Sequence, residues 1–262
     1  MRELAAKMFH ELRERVLDRA ELAEGQTLLD VGCGDGLIAF GAVERGAGLV
    51  VFSDISQDLL DESSRIAEEL GVLDRCRFLL APADDLHELA DESVDVVTTR
   101  SVLIYVDDKE SALREFHRVL RPGGRVSLFE PINRLSRFID AYDSRPVEEL
   151  NHRVRSVFTE LQPRDTDPML NFDDRDLVDL AERLGFGRVH LTLEVETSPP
   201  EPVAWDAFLD MPANPRIPSP RQAMEQVLTP GEQARYEAHM RPLVEAGVGS
   251  RRMASAYLLA VK

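Results

Sequence analysis

Residues 27–40, TLLDVGCGDGLIAF, join an apolar run to a glycine-rich loop and then to a second apolar run. The first run reads as a buried strand, and Gly32, Gly34 and Gly36 mark a tight turn into a helix beginning near Leu37. Glycine is needed where backbone turns sharply and a ligand must approach without a Cβ in the way. The N–H groups that open the next helix lack partners within it and can face that ligand. A further apolar run, LVVFSD, ends in Asp54, 18 residues after Gly36. An acid near that spacing accepts hydrogen bonds from a ribose diol and repels a 2′-phosphate. The chemistry these residues can perform is recognition of a nucleoside-type cofactor with free ribose hydroxyls.

Gly34-Asp35-Gly36-Leu37-Ile38-Ala39 also fits the G-x-G-x-x-A fingerprint of dinucleotide binding, which leaves an NAD-dependent oxidoreductase as one alternative. Two acids speak against a pyrophosphate. Asp30 lies just before the first glycine, where it can attract the cationic end of an amino acid, and Asp35 lies within the loop. A cationic sulfonium with an amino-acid tail suits these charges, and a diphosphate does not. Cys33 sits in the same loop, but nothing nearby in sequence would activate it, so it reads as a small buried thiol.

The elements that must position these residues recur along the chain. Apolar runs at 27–32, 49–54, 76–81, 94–99 and 125–131 are too short for core helices and read as buried parallel strands. Helical patterns lie between them, over Gln57–Leu70 closed by Gly71, and from Asp108 to Leu120 before Pro122-Gly123-Gly124. This alternation implies an α/β class with a doubly wound, mostly parallel sheet. Beyond Pro131 the pattern breaks. Residues 133–170 read as a partly helical insertion or lid. A helix follows at NFDDRDLVDLAERLGF, capped by Asp173 and ended by Gly185, and then the strand GRVHLTLEVET. Residues 198–250 read as a helical insertion with helices at 220–228 and 230–246, capped by Ser219 and Thr229, the second kinked or ended by Pro242. RRMASAYLLAVK reads as the last strand.

These segments resemble the class I, Rossmann-like S-adenosylmethionine (SAM)-dependent methyltransferases, of the ubiquinone/menaquinone-type small-molecule kind. Leu28–Gly36 looks like their E/D-x-G-x-G-x-G signature, and VVFSDIS like their ribose-binding strand end. Ala83-Asp84-Asp85-Leu86 is similar to their adenine-contacting turn. VDVVTTRSVLIYV and VLRPGGRVSLFEP match their fourth- and fifth-strand motifs. The resemblance covers about residues 20–131 plus the closing strands. It implies one SAM-methyltransferase domain over 1–262, with a seven-stranded sheet whose last strand is antiparallel. It implies SAM as cofactor and S-adenosyl-L-homocysteine as product. By the same resemblance Asp30 would hold the methionine amine, directly or through water, and Gly32 and Gly34 would let the backbone pass beneath the methionine. Asp54 would take the ribose diol and Ile55 would pack on adenine. Ala83 and Asp84 would meet the adenine edge, and Arg100 would offer its backbone carbonyl to the amine. For Asp84 a helix cap or solvated loop acid is the competing role.

The acceptor is less legible. The D/N-P-P-Y motif for methylating planar amino groups is absent after the fourth strand, where the chain reads Thr99-Arg100-Ser101-Val102, and there is no Pro-Cys nucleophile. A net charge of −17 opposes nucleic-acid binding, because phosphate backbones are held by positive charge. A small-molecule acceptor is expected. Tyr105, just after the fourth strand, and His152, in the first insertion, are weak candidates to orient or deprotonate it; packing or surface roles compete. Arg134, Arg137, Arg145, Arg153, Arg155 and Arg164 would either bind an anionic acceptor or pair with surface acids. The aromatics Phe138, Tyr142, Phe158, Phe172, Trp205 and Phe208 would line an apolar acceptor pocket or fasten the insertions. No histidine or cysteine spacing suggests a metal. Two cysteines, no long apolar run and a mixed-charge N-terminal helix pattern point to a cytoplasmic protein. A catalytically silent SAM-binding regulatory protein is the other alternative.

Overall fold

The computed structural model describes residues 2–137, 141–212, 214 and 216–262; within the first helix, the side chains of residues 2–6 and 8 are left aside. Phe138 lies outside the described residues. Two compact units emerge. The first comprises Met1–Pro131, Asp174–Leu193 and Ser255–Lys262, and the second Ile132–Asp173 and Glu194–Ala254.

The elements run α1 (Arg2–Arg19), β1 (Thr27–Val31), α2 (Leu37–Glu44), β2 (Leu49–Asp54), α3 (Gln57–Glu69), β3 (Cys76–Leu80), β4 (Val94–Arg100), α4 (Lys109–Val119), β5 (Leu120–Pro131), α5 (Glu148–Leu161), α6 (Asp174–Arg183), β6 (Arg188–Ser198), α7 (Trp205–Asp210), α8 (Pro220–Val227), α9 (Pro230–Ala246) and β7 (Arg251–Val261). The strands form one seven-stranded sheet in the order β3-β2-β1-β4-β5-β7-β6. β1 pairs in parallel with both β2 and β4, β2 with β3, and β4 with β5, whereas β7 runs antiparallel to β5. The doubly wound sheet with an antiparallel last strand thus stands as the sequence predicts. Strand order reverses at β1, where open α/β sheets bind ligands beyond the carboxyl ends of the strands.

The near-continuous apolar strands are explained by burial on both faces. Leu28, Leu29, Val50, Phe52, Val96 and Val97 are at most 2% exposed or fully buried. Helix α2 is apolar almost throughout and buries Ile38, Ala39, Ala42 and Val43 in one cluster with Val16 and Leu17 of α1. Helix α3 buries Leu60, Ser63 and Ala67, spaced three and four apart on one face, and its Ser56 cap accepts the Leu59 N–H. Asp108 caps α4 in the same way, through Ser111.

The fifth strand begins earlier than the sequence predicts. Val94 pairs with Leu120 and Val96 with Arg125, so Arg-Pro-Gly-Gly bulges out of the ladder instead of ending the pairing. In the second unit, both capping sites hold as full boxes, Ser219 with Gln222 and Thr229 with Glu232. Pro242 does not end α9, which continues to Ala246. It removes one bond, from its own position to the Ala238 carbonyl, within a 17-residue helix. The short helix α7 carries no signal in its proline-rich surroundings.

The second unit has its own core. Trp205 stacks on Phe208 with centroids 5.5 Å apart, and Tyr142 meets Phe208 edge-on at 5.9 Å. Tyr142 and Trp205 join Val154, Met224, Tyr236 and Met240 in one buried cluster, with Phe158 and Phe208 packed against it. Of the insertion arginines, Arg134 pairs with Asp165 at 2.9 Å, Arg145 with Asp143 at 2.7 Å and Arg153 with Glu232 at 2.6 Å. Arg164 donates to the Arg134 carbonyl, and Arg137 bridges Arg252 through the backbone.

Candidate cofactor-binding site

Parallel pairing brings the ends of β1, β2 and β4 side by side: Asp30 faces Phe52 and Thr98, and Val31 faces Ser53 and Thr99. The loop after β1 is stitched to both neighbours. The Cys33 N–H donates to the Ser53 carbonyl at 2.9 Å, and the Gly34 N–H donates to Asp54 Oδ2 at 2.9 Å. Asp54 Oδ1 accepts the Ser56 N–H at 2.9 Å, and the Ser63 hydroxyl donates to the Gly34 carbonyl at 3.4 Å. The glycine loop, the acid of β2 and the start of α3 therefore form one hydrogen-bonded unit, although Gly34 and Asp54 are 20 residues apart.

Gly32 (φ +64°) and Gly34 (φ +55°) both adopt the left-handed conformation that favours glycine. Their surroundings differ. A Cβ on Gly32 would collide with a methyl of Val102, whereas a Cβ on Gly34 would meet nothing within 4 Å. The backbone at Gly34 therefore borders open space, beside a carboxylate only 8% exposed. Next to it, Ile55 is 76% exposed. The Ala81 N–H donates to the Asp54 carbonyl, and Ala83 (buried) and Asp84 (exposed) follow in a turn. An open glycine cradle, a nearly buried carboxylate and an exposed apolar side chain thus lie together at the carboxyl ends of β1 and β2.

Asp30 is the most deeply placed of the expected residues. It is 2% exposed; Oδ1 accepts the Thr98 hydroxyl at 2.8 Å and Oδ2 the Ala39 N–H at 3.1 Å. Burial pushes its carboxyl up to about 7, against the pull of those two donors. The Cys33 thiol is likewise pushed up, by burial first and then by Asp30 and Asp54, which disfavours a nucleophilic thiolate. Arg100 ends β4, and its guanidinium lies 5.8 Å from the Phe9 ring. Tyr105 is half exposed on a 3-10 turn, Leu103–Tyr105, in the first unit. His152 is exposed on α5, in the second unit. Thr98, Ser63, Val102 and Glu130 are participants that the sequence reading passes over. Glu130 is fully buried at the end of β5, and its carboxylate receives the N–H groups of Val102, Leu103 and Ile104. Among the described residues, no group of three or more His, Cys, Asp or Glu could hold a metal ion, and no helix is long and apolar enough to cross a membrane.

Residues 29–128 match a family model described as a methyltransferase domain. The chain is 32% identical over 161 residues to the ubiquinone/menaquinone biosynthesis C-methyltransferase UbiE of Enterobacter sp. (strain 638), a match covering 59% of this chain and 64% of that protein. The chain thus spans less than two thirds of the length of the curated relatives it matches. The crystal structure of the YcgJ protein from Bacillus subtilis superposes with a TM-score of 0.60 at 16% identity, covering 97% of this chain and 98% of that one. Phosphoethanolamine N-methyltransferase 2 of Haemonchus contortus, solved with S-adenosyl-L-methionine, gives 0.55 at 17% identity, covering 96% of this chain and 52% of that one. At such identities the structural likenesses establish the fold alone. Over residues 29–128 the chain is similar to methyltransferase domains.

Proposed function

We propose that the protein binds SAM at the glycine loop and Asp54 and transfers its methyl group to a small-molecule acceptor. The observation that carries this reading is the open backbone cradle at Gly34, hydrogen-bonded to the Asp54 carboxylate. When bound, the cofactor supplies a methyl carbon on a cationic sulfur that departs as the neutral thioether of S-adenosyl-L-homocysteine. The chain's residues then have to bind, orient and exclude water, the main tasks in an in-line displacement with a good leaving group. Asp54 accepts from the ribose diol, Ile55 covers adenine, and Ala83 and Asp84 meet the adenine edge. Gly32 and Gly34 pass beneath the methionine. The Arg100 carbonyl and Asp30 receive its amine. Asp30 already accepts one donor on each oxygen, so its share is a second lone pair or a bridging water. Tyr105 and His152 are candidates to orient or deprotonate the acceptor.

The choice of acceptor belongs to the insertions, 133–170 and 198–250, of a single SAM-methyltransferase domain over 1–262. An anionic acceptor would compete with Asp165, Asp143 and Glu232 for Arg134, Arg145 and Arg153. The charge of −17 supports a small molecule over a nucleic acid. A cytoplasmic setting suits the two free cysteines, Cys33 and Cys76. Calorimetry with SAM and with NAD, on the wild type and on Asp54→Ala, tests the reading. SAM binding that weakens at least tenfold in the variant, with no NAD binding, supports it. NAD binding, or SAM binding indifferent to Asp54, refutes it. Turnover in an acceptor screen separates the enzyme from a silent SAM-binding regulator.

A further inference from the structure

We propose that Glu130 is a positioning residue: it holds the loop after β4, and through Val102 the glycine loop, in the shape that receives the cofactor. The inference rests on the SAM-binding reading above and adds a residue outside the matched methyltransferase segment, which ends at 128.

The geometry is a convergence of donors. Glu130 Oε1 accepts the Val102 N–H at 2.9 Å and the Leu103 N–H at 3.0 Å, with the Thr99 hydroxyl donating at 3.5 Å. Oε2 accepts the Ile104 N–H at 3.3 Å. Those N–H groups open the 3-10 turn Leu103–Tyr105, which has no side-chain cap of its own. One buried carboxylate, brought from β5, therefore caps a turn that follows β4.

The loop needs such an anchor. It leaves β4 through Ser101 at φ +57°, a left-handed conformation that costs a serine about 1–2 kcal/mol. A strained residue persists only where its surroundings over-determine it. Here the Ser101 N–H is tied to the Phe129 carbonyl at 2.8 Å, and the next three N–H groups to Glu130. The side chain thus fixed, Val102, occupies the space that a Cβ on Gly32 would need. Glu130, Val102 and Gly32 form one contact chain from β5 to the cofactor loop. A fully buried acid is expensive, and an apolar residue would fill a purely packing position at lower cost. Lys109 of α4, 6% exposed, acts on it electrostatically, and its Nζ donates to the Val106 carbonyl at 2.9 Å.

The test combines amide hydrogen exchange with S-adenosyl-L-homocysteine calorimetry on wild type, Glu130→Gln, Glu130→Asp and Glu130→Ala. In the ligand-free wild type the amides of Val102, Leu103 and Ile104 should be protected like the β4 amides beside them. Glutamine keeps one acceptor at the same reach, so it should weaken binding roughly tenfold, while aspartate, one methylene short, and alanine should weaken it roughly a hundredfold. Exchange at 102–104 should quicken in the same order, and the Gly34 amide, reached through Val102 and Gly32, should follow more weakly. Exchange that quickens at 102–104 while the amides of the β-sheet core keep their protection is the signature that general destabilisation would not produce. Wild-type affinity in a folded Glu130→Ala, or unprotected 102–104 amides in the wild type, would overturn the assignment. The wild-type exchange measurement decides even if no variant folds. A wild type that does not bind the ligand at all would instead bring down the SAM-binding reading itself.

Discussion

Replacing Gly34 by alanine isolates one methyl group at the point where backbone and cofactor are proposed to meet. The Gly34 N–H to Asp54 survives the change, and the new Cβ meets no protein atom within 4 Å. Stability should fall only by the strain of φ +55°, about 1–2 kcal/mol. Binding should suffer more, because the methyl projects into space the ligand occupies; a loss of roughly tenfold or more corresponds to about 1.4 kcal/mol. Gly32→Ala is the contrasting perturbation. It carries the same strain at φ +64° and a collision with Val102, which adds about 1–3 kcal/mol of overpacking. The total, about 2–5 kcal/mol, should appear chiefly as lost stability. Urea unfolding gives the two stabilities, and calorimetry with SAM gives the two affinities. The reasoning fails if Gly34→Ala binds SAM like the wild type. It also fails if Gly32→Ala is no less stable than Gly34→Ala.

Two further outcomes follow from the same structure. Asp30 and Glu130 are both pushed up to about 7 by burial, from ordinary values of 3.8 and 4.5. Between those ordinary values and about 7 the folded chain keeps protons that the unfolded chain has released, so these groups' stabilising contribution is full at low pH and declines as pH rises through 7. For Asp30 the span is worth up to about 4 kcal/mol. Urea midpoints at pH 5 and pH 8 should therefore differ less in Asp30→Asn than in the wild type, and an identical pH response would refute the assignment. In the second unit, Thr229→Ala removes the acceptor for the Glu232 N–H and half of a capping box. It should cost about 1 kcal/mol by urea unfolding, and a change within error would mean that α9 is not held by its cap.

Much of this protein is local enough to read directly. Strand runs such as LVVFSD announce themselves because both faces of a parallel sheet are buried. The pairs Ser219 with Gln222 and Thr229 with Glu232 lie within one helical turn, so their caps are visible as spacing. The glycines of the loop and Asp54 are legible because a tight turn and a strand-end acid each follow from residue type. Other features required the tertiary structure. That β7 lies between β5 and β6 is a choice of neighbour, and periodicity specifies faces, not neighbours. The insertion arginines leave two roles open in the sequence, and only packing brings Arg134, Arg145 and Arg153 within reach of Asp165, Asp143 and Glu232. Asp30 was expected from its motif, but its partners Thr98 and Ala39 come from β4 and α2. Glu130 was one residue of the run RVSLFEP. It became the anchor of the loop after β4 only because parallel pairing carries the end of β5 beside the end of β4, 26 to 28 residues away in the chain. Residue type and short spacing express local conformation and charge. A buried carboxylate's role depends on which distant N–H groups the fold delivers to it, and only the packed sheet decides that.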